Sequence, residues 1–189
     1  MKKLSVSEMA VTAVMTAVCC VLGPLSVPIG PVPVSLGILG VLLSVYILGR
    51  LKGTIAVLIY LLIGFAGVPV FAGFTAGAGK LLGPTGGYLI GYIFLSLIAG
   101  TIIDKFPGRY IIHVAAMVLG VAVCYAFGTA WLSYVAGMSF SAALFAGVIP
   151  FIPFDLCKII VTAVIAPQIK KALNKANLIQ ESNLCAKSS

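Results

Sequence analysis

Six apolar segments run along this chain, near residues 6–23, 34–49, 53–67, 86–103, 110–135 and 153–170, with few charged side chains inside them. A membrane-spanning helix needs about 20 such residues, within a range of about 17–25. A helix that is apolar on every side must be surrounded by lipid or by other helices. With 61% hydrophobic and 8% charged residues and a mean hydropathy of +1.21, a soluble core would leave too much apolar surface uncovered. The expected fold is therefore an all-α integral membrane protein of six transmembrane helices. Segments two and three are short and separated only by Arg50-Leu51-Lys52, so the chain has to reverse there at a membrane surface.

The basic residues orient this arrangement. Lys2 and Lys3 precede segment one, Arg50 and Lys52 separate two from three, and Lys105 and Arg109 separate four from five. Lys170, Lys171, Lys175 and Lys187 follow segment six. In a six-span topology these all fall on one face, and the opposite face holds Lys80 alone. The positive-inside rule then places both termini in the cytoplasm of a multi-pass plasma-membrane protein. Residues 1–175 are expected to form one six-helix membrane domain and 176–189 a cytoplasmic tail. The net charge of +8 thus serves topology, not nucleic-acid binding. Met1-Lys2-Lys3 leads into a first membrane helix and not a cleavable signal.

Two charges break the pattern. Asp155 and Lys158 lie three residues apart within Phe151-Ile152-Pro153-Phe154-Asp155-Leu156-Cys157-Lys158. A charge near the centre of a membrane helix costs about 2.5–3.5 kcal/mol on insertion scales. Pro153 suits a first helical turn, and the helix dipole there favours Asp155 but disfavours Lys158. From Asp155 to the basic end at Lys170 is about 22 Å of helix at ~1.5 Å per residue, which puts the pair in the outer third of the membrane. Residues i and i+3 share a face, so both side chains can enter one pocket. The alternative is an ion pair that neutralises itself and binds nothing.

The stretches 23–33 and 68–87 are long, apolar and rich in Gly and Pro. Irregular backbone of this kind is tolerated at membrane depth only where protein buries it or a cavity receives it. Both are expected to fold back and cap an outer pocket; the alternative is a loop lying on the membrane surface. Gly73-Phe74-Thr75-Ala76-Gly77-Ala78-Gly79-Lys80-Leu81 approximates a phosphate loop but lacks the residues that GxxxxGK[ST] requires at 74 and 81. Its glycines still offer N–H groups to an anion such as a carboxylate, with Lys80 either helping or simply solvated. Thr85 is placed to cap the following helix. Gly87 and Gly91 have the GxxxG spacing of close helix packing.

Ala10, Ala13 and Ala17 form a small-residue stripe, which reads either as internal packing or as a docking face for another membrane protein. Trp131 and Tyr134 read as interfacial aromatics. His113 reads as a polar residue near a helix end. The five cysteines form no CxxC pair and read as small buried residues. The few carboxylates and one histidine supply no nucleophile, base and acid together, so the chain is not expected to be an enzyme. A small-solute channel or secondary carrier is the alternative class, but no polar stripe runs through several helices.

Four segments in order carry a family resemblance: Gly30-Pro31-Val32-Pro33-Val34-Ser35-Leu36, Gly67-Val68-Pro69-Val70-Phe71-Ala72-Gly73, Leu82-Gly83-Pro84-Thr85-Gly86-Gly87-Tyr88-Leu89-Ile90-Gly91, and Pro150-Phe151-Ile152-Pro153-Phe154-Asp155-Leu156-Cys157-Lys158. Together they resemble BioY, the biotin-specific S component of energy-coupling factor (ECF) transporters, over residues 8–172. The resemblance implies a six-helix S-component fold, biotin bound near the outer face, and a membrane coupling subunit with two cytoplasmic ATPases as partners. No cofactor is implied; biotin is the transported ligand. Ser35, Leu36, Phe71, Ala72, Gly73, Thr85, Gly86 and Tyr88, with Lys80, Asp155 and Lys158, become the expected substrate contacts. Ala10, Ala13 and Ala17 become the expected docking face. The chain has Ser35-Leu36-Gly37 where the family commonly carries Thr-Leu-Gln, and Phe154 where it often carries glycine, a change expected to narrow the pocket. Asp155 can accept from the ureido N–H groups and Lys158 can donate to the ureido oxygen. The inverted pose, with Lys158 on the carboxylate, is equally open at this stage.

Overall fold

The computed structural model describes residues 5–29 and 32–179. Lys2, Lys3, Gly30, Pro31 and the tail beyond residue 179, including Glu181, Cys185 and Lys187, lie outside the described residues. The elements run α1 (Val6–Leu22), β1 (Ser26–Ile29), β2 (Val32–Ser35), α2 (Gly37–Phe65), α3 (Ala78–Leu82), α4 (Gly86–Lys105), α5 (Tyr110–Ala136), α6 (Phe140–Gly147) and α7 (Ile152–Lys175). By length and composition α4, α5 and α7 are long and apolar enough to cross a membrane, as is α2 counted end to end, and α1 is a shorter apolar helix.

The second and third apolar segments both fall in α2, which is broken at Gly49 (φ 76°, ψ −175°). That conformation is almost exclusive to glycine. The chain folds back on itself at this point. A Cβ on Gly53 would lie 2.8 Å from Cα of Val45, whereas residues eight apart in a straight helix are about 12 Å apart at ~1.5 Å per residue. The two arms, residues 37–48 and 50–65, therefore pack side by side. Asp104 holds the reversal: its Oδ2 accepts from the Arg50 N–H at 2.9 Å, satisfying an orphan donor at the start of the second arm.

Polar contacts gather at this end of the bundle. Ser5 and Glu8 form a capping box on α1, and Glu8 is also ion-paired with Lys52. His113 lies near the start of α5, as its sequence position suggests, but it is buried. It bridges the Phe106 carbonyl through Nε2 at 2.8 Å and the Tyr46 hydroxyl through Nδ1 at 2.9 Å. Only an N–H can meet a carbonyl, so Nε2 donates to Phe106.

The most extensive helix contact joins α4 to α5. Gly91 lets Cys124 approach, its Sγ lying 2.9 Å from where a Cβ would stand. A Cβ on Gly87 would overlap Trp131, and one on Gly128 would overlap the Tyr88 ring. The GxxxG spacing is thus used for close packing within the chain. Trp131 donates from Nε1 to the Gly83 carbonyl at 2.9 Å. Tyr134 is fully outward-facing.

The connections at the other end are more ordered than an all-α reading with irregular loops predicts. Strands β1 and β2, residues 26–29 and 32–35, pair antiparallel as a hairpin in which Pro28 faces Pro33. Neither proline has an N–H to give, so they fit only a pair without ladder hydrogen bonds. The Leu36 N–H closes the hairpin base on the Leu25 carbonyl at 2.9 Å. Val32 and Val34 pack in a cluster with Tyr88, Leu132, Ala143 and Phe151, which lays the hairpin across the ends of α4 to α7.

The stretch after α2 is also bonded internally. Phe71 and Thr75 exchange backbone hydrogen bonds at 3.0 and 3.3 Å, the Gly73 N–H reaches the Pro24 carbonyl at 3.1 Å, and the Gly77 N–H reaches the Gly64 carbonyl at 2.8 Å. Backbone that the sequence leaves as irregular thus satisfies itself, as burial demands. Two short helices, α3 and α6, lie in connections where no helix is predicted.

Candidate functional site

Pro153 occupies the first turn of α7, and Asp155 and Lys158 follow on its inner face, 3% and 7% exposed. Lys158 Nζ donates to Asp155 Oδ1 at 2.6 Å and to the Ser35 carbonyl at 2.7 Å. The Tyr125 hydroxyl donates to Asp155 Oδ2 at 2.5 Å. Each carboxylate oxygen thus carries one donor and keeps a lone pair for another. Three separate elements, α7, α5 and the end of β2, meet at the pair.

A small cavity of ≈ 40 Å³ opens beside it, walled by Val32, Pro33 and Ser35 of the hairpin, Ile38 of α2, Tyr88 and Tyr92 of α4, Tyr125, Gly147 and Phe151. A second cavity, also ≈ 40 Å³, shares Val32, Pro33, Ser35, Tyr88 and Tyr92 and continues to Tyr60, Phe71, Ala72, Lys80, Thr85 and Leu89. Together they form one divided cleft under the hairpin and the 66–85 connection. Its walls are largely aromatic and apolar, with the ion pair at one end and Lys80 at the other. Such a mixture of apolar wall and few polar groups is the usual make-up of a small-molecule site.

This cleft brings together Ser35, Phe71, Ala72, Lys80, Thr85, Tyr88, Asp155 and Lys158 from four distant stretches of sequence. Leu36, Gly73 and Gly86 do not line it: Leu36 caps the start of α2, Gly73 turns the 66–85 connection, and Gly86 packs on Leu81. Thr85 precedes α4 but makes no side-chain cap. Its backbone is already in the helical region (φ −90°, ψ −5°), which is not the extended geometry of a capping side chain, and its Oγ1 is buried without a partner among the described residues. Phe154 does not narrow the cleft; it is 47% exposed on the outer face of α7. At Gly37, the Tyr92 hydroxyl lies 3.1 Å from where a Cβ would be, so tyrosine occupies the space that a longer side chain would need.

Tyr60, Tyr92 and Tyr125 are wall residues that the sequence reading does not single out. Phe71 is held edge-on to Tyr60, centroids 5.7 Å apart, and its ring fills the space a side chain at Gly64 would take. No sequence signal sets Tyr125 apart, because α5 also carries Tyr110, His113, Thr129, Ser133 and Tyr134.

On the flank of the bundle, Ala10, Ala13 and Ala17 are exposed, which excludes internal packing as their role. Ala13 and Ala17 border an open apolar groove of ≈ 580 Å³ between α1 and the second arm of α2, with Thr12, Thr16, Ile55, Ile59 and Ile63.

The fold and sequence both have close relatives. A solved S component for biotin from an ECF-type ABC transporter superposes with a TM-score of 0.83 at 33% identity, over 88% of this chain and 92% of that one. The biotin transporter BioY of Thermotoga maritima is 39% identical over 158 residues, 84% of this chain and 92% of the relative. The BioY of Rhizobium etli is 35% identical over 173 residues, 86% of this chain and 92% of the relative. The model of the BioY family matches residues 1–175, which contain every described helix, and the chain therefore belongs to the BioY family.

Proposed function

We propose that this protein is the biotin-binding S component of an ECF-type vitamin uptake transporter. The observation that carries the reading is the buried Asp155–Lys158 pair in a roofed aromatic cleft on a chain of this family. An ion pair placed in apolar surroundings is a costly device for stability alone. Here each member keeps hydrogen-bonding capacity towards the cleft. A cyclic urea presents N–H donors and a carbonyl acceptor, which match the free lone pairs of Asp155 and the third ammonium proton of Lys158. Charge-assisted hydrogen bonds of this type are roughly twice as strong as neutral ones. The rings around Phe71, Tyr88 and Tyr92 supply the apolar walls for a bicycle. With Ser35, Ala72, Thr85 and Lys80, they form the proposed contact set. Leu36, Gly73 and Gly86 act behind it by shaping the backbone.

The six-span topology, with both termini in the cytoplasm of the plasma membrane, completes the reading. The two arms of α2 supply two of the six passes, and the tail after α7 is cytoplasmic. The hairpin, the 66–85 connection and α6 then face outside. Ala10, Ala13 and Ala17, with the groove beside them, form the surface that docks on the membrane coupling subunit, which in turn engages two cytoplasmic ATPases. Small exposed residues permit the close helix approach that drives association in lipid, where no hydrophobic force operates. The role is binding and transport, not catalysis.

Reconstitution separates this reading from a small-solute secondary carrier. Vesicles containing the protein with a coupling module should take up biotin only with ATP inside the module's compartment. Accumulation by the protein alone under an ion or proton gradient would instead make it a carrier.

A further inference from the structure

The groove on the flank, between α1 and the second arm of α2, has a volume of ≈ 580 Å³, far larger than either cavity of the cleft. Its floor is apolar. Thr12 and Thr16 turn their hydroxyls back onto the Glu8 and Thr12 carbonyls at 2.8 and 3.0 Å, so neither offers a polar group to an occupant. Water settles in a cavity only where it finds two to four polar partners, so this groove is filled by something apolar. Among the described residues that line it, the one charged side chain is Lys52. Ile55, Ile59 and Ile63 follow Lys52 along one face of the second arm. From Lys52 to Ile63 is about 16 Å of helix at ~1.5 Å per residue. The hydrocarbon of one leaflet is about 15 Å deep, half of the ~30 Å core. The Lys52 ammonium has three N–H donors, of which Glu8 takes one. Arg50, exposed two residues earlier, adds a second cation at the same level, and the dipole at the start of the second arm favours negative charge there.

We infer that this groove is a lipid site: it holds one acyl chain of an anionic phospholipid from the cytoplasmic leaflet, with the lipid phosphate on Lys52 and Arg50 beside it. The inference rests on the proposed topology, which puts Lys52 at the cytoplasmic surface, and on the docking role proposed for Ala13 and Ala17. Those two alanines keep the groove open, because a larger side chain at either position would occupy the path of the chain. A second copy of this protein, lying parallel in the same membrane, would bring its own Lys52 to the same level; an anion is the better complement to that cation. The lipid and the coupling subunit then compete for one surface. The free protein keeps its docking face covered by a lipid, and docking returns that lipid to the bilayer.

The test is native mass spectrometry of the full-length protein released from nanodiscs of equal parts phosphatidylglycerol and phosphatidylcholine. The wild type should retain one phospholipid and favour phosphatidylglycerol by about fivefold, the worth of one basic side chain at an anionic surface. Lys52→Gln should remove that preference. Because it also leaves Glu8 without its cation, the Glu8→Gln/Lys52→Gln double variant repeats the measurement with no unpaired charge and should show the same loss. Ala17→Leu keeps Lys52 but fills the groove, and should lose retention of both lipids. Association with the coupling module, scored by co-purification from vesicles of each lipid, should be weaker in phosphatidylglycerol for the wild type and equal in the two lipids for the double variant. A wild type that retains no lipid or retains both equally overturns the site, as does full retention by Ala17→Leu or an unchanged preference in the double variant. A lipid-free dimer would assign the groove to a second copy. Wild-type association that is equal in the two lipids overturns the competition. Absence of ATP-driven biotin uptake with lipid retention intact would instead remove the transport reading and leave the lipid site standing.

Discussion

The Lys158 ammonium donates to the Ser35 carbonyl at 2.7 Å, tying the first turns of α7 to the last residue of the hairpin that roofs the cleft. The same nitrogen holds Asp155 at 2.6 Å. One side chain therefore joins the polar anchor to its lid, and a ligand that engages Lys158 also acts on the hairpin.

Loss of Lys158 should uncouple stability from binding in a recognisable way. Lys158→Met leaves the Asp155 carboxylate buried and unpaired, at a cost of about 3–5 kcal/mol, read as a lower melting temperature in detergent. The Asp155→Asn/Lys158→Met double variant buries no charge and should regain most of that temperature. It should still bind biotin about a hundredfold more weakly than wild type. Recovery of binding along with stability would show that the pair serves the fold alone.

Tyr125 is predicted to position Asp155. Tyr125→Phe keeps the ring and removes the hydroxyl that donates to Oδ2 at 2.5 Å. A hydrogen bond to a charged group is worth about 1.5–3 kcal/mol, so biotin affinity should fall by about tenfold or more. Unchanged affinity in an equilibrium binding titration would leave Tyr125 without a role at the site.

The aromatic wall should be sensitive from behind. The Phe71 ring fills the space beside Gly64 and is fully buried. Gly64→Val must displace it, at an overpacking cost of about 1–3 kcal/mol, and should weaken biotin binding although residue 64 does not line the cleft. Thermal unfolding and calorimetry on the same preparation check both parts.

Changes on α1 should act on transport alone. Ala13 and Ala17 are exposed and belong to a groove lined by α1 and α2, apart from the cleft. Ala13→Trp or Ala17→Trp should abolish uptake by the assembled transporter and leave biotin affinity of the isolated protein unchanged. Persistent uptake with the complex intact would remove the docking assignment.

The charged half of the site is legible in the sequence because its residues break a strong rule: Asp155 and Lys158 stand in an apolar run where charge is costly. Tyr125 and Tyr92 break no rule, since tyrosine is at home in buried and interfacial positions, and only the folded chain reveals which hydroxyls meet the acid. The reversal near Arg50 is legible from the charges. The break at Gly49 that makes it is not, because one glycine in an apolar stretch gives no sign of its torsion. The hairpin is hidden by its prolines: Pro28 and Pro33 argue against strands individually, and only their pairing with each other makes them compatible. The helices α3 and α6, of 5 and 8 residues, are too short for hydropathy to separate from loop. The unused cap at Thr85 shows a local signal overridden by tertiary context, with its hydroxyl buried and unpaired among the described residues.

The most direct measurement is calorimetric titration of the purified protein with biotin, desthiobiotin, thiamine and riboflavin, repeated on Lys158→Met. Saturable binding of biotin, retained recognition of desthiobiotin through its intact urea, no heat from the other two vitamins, and a loss of about a hundredfold for biotin in the variant are the predicted results. Absence of biotin binding by the wild type, equal binding of thiamine or riboflavin, or full affinity in Lys158→Met would contradict the assignment of the buried pair to a cyclic urea.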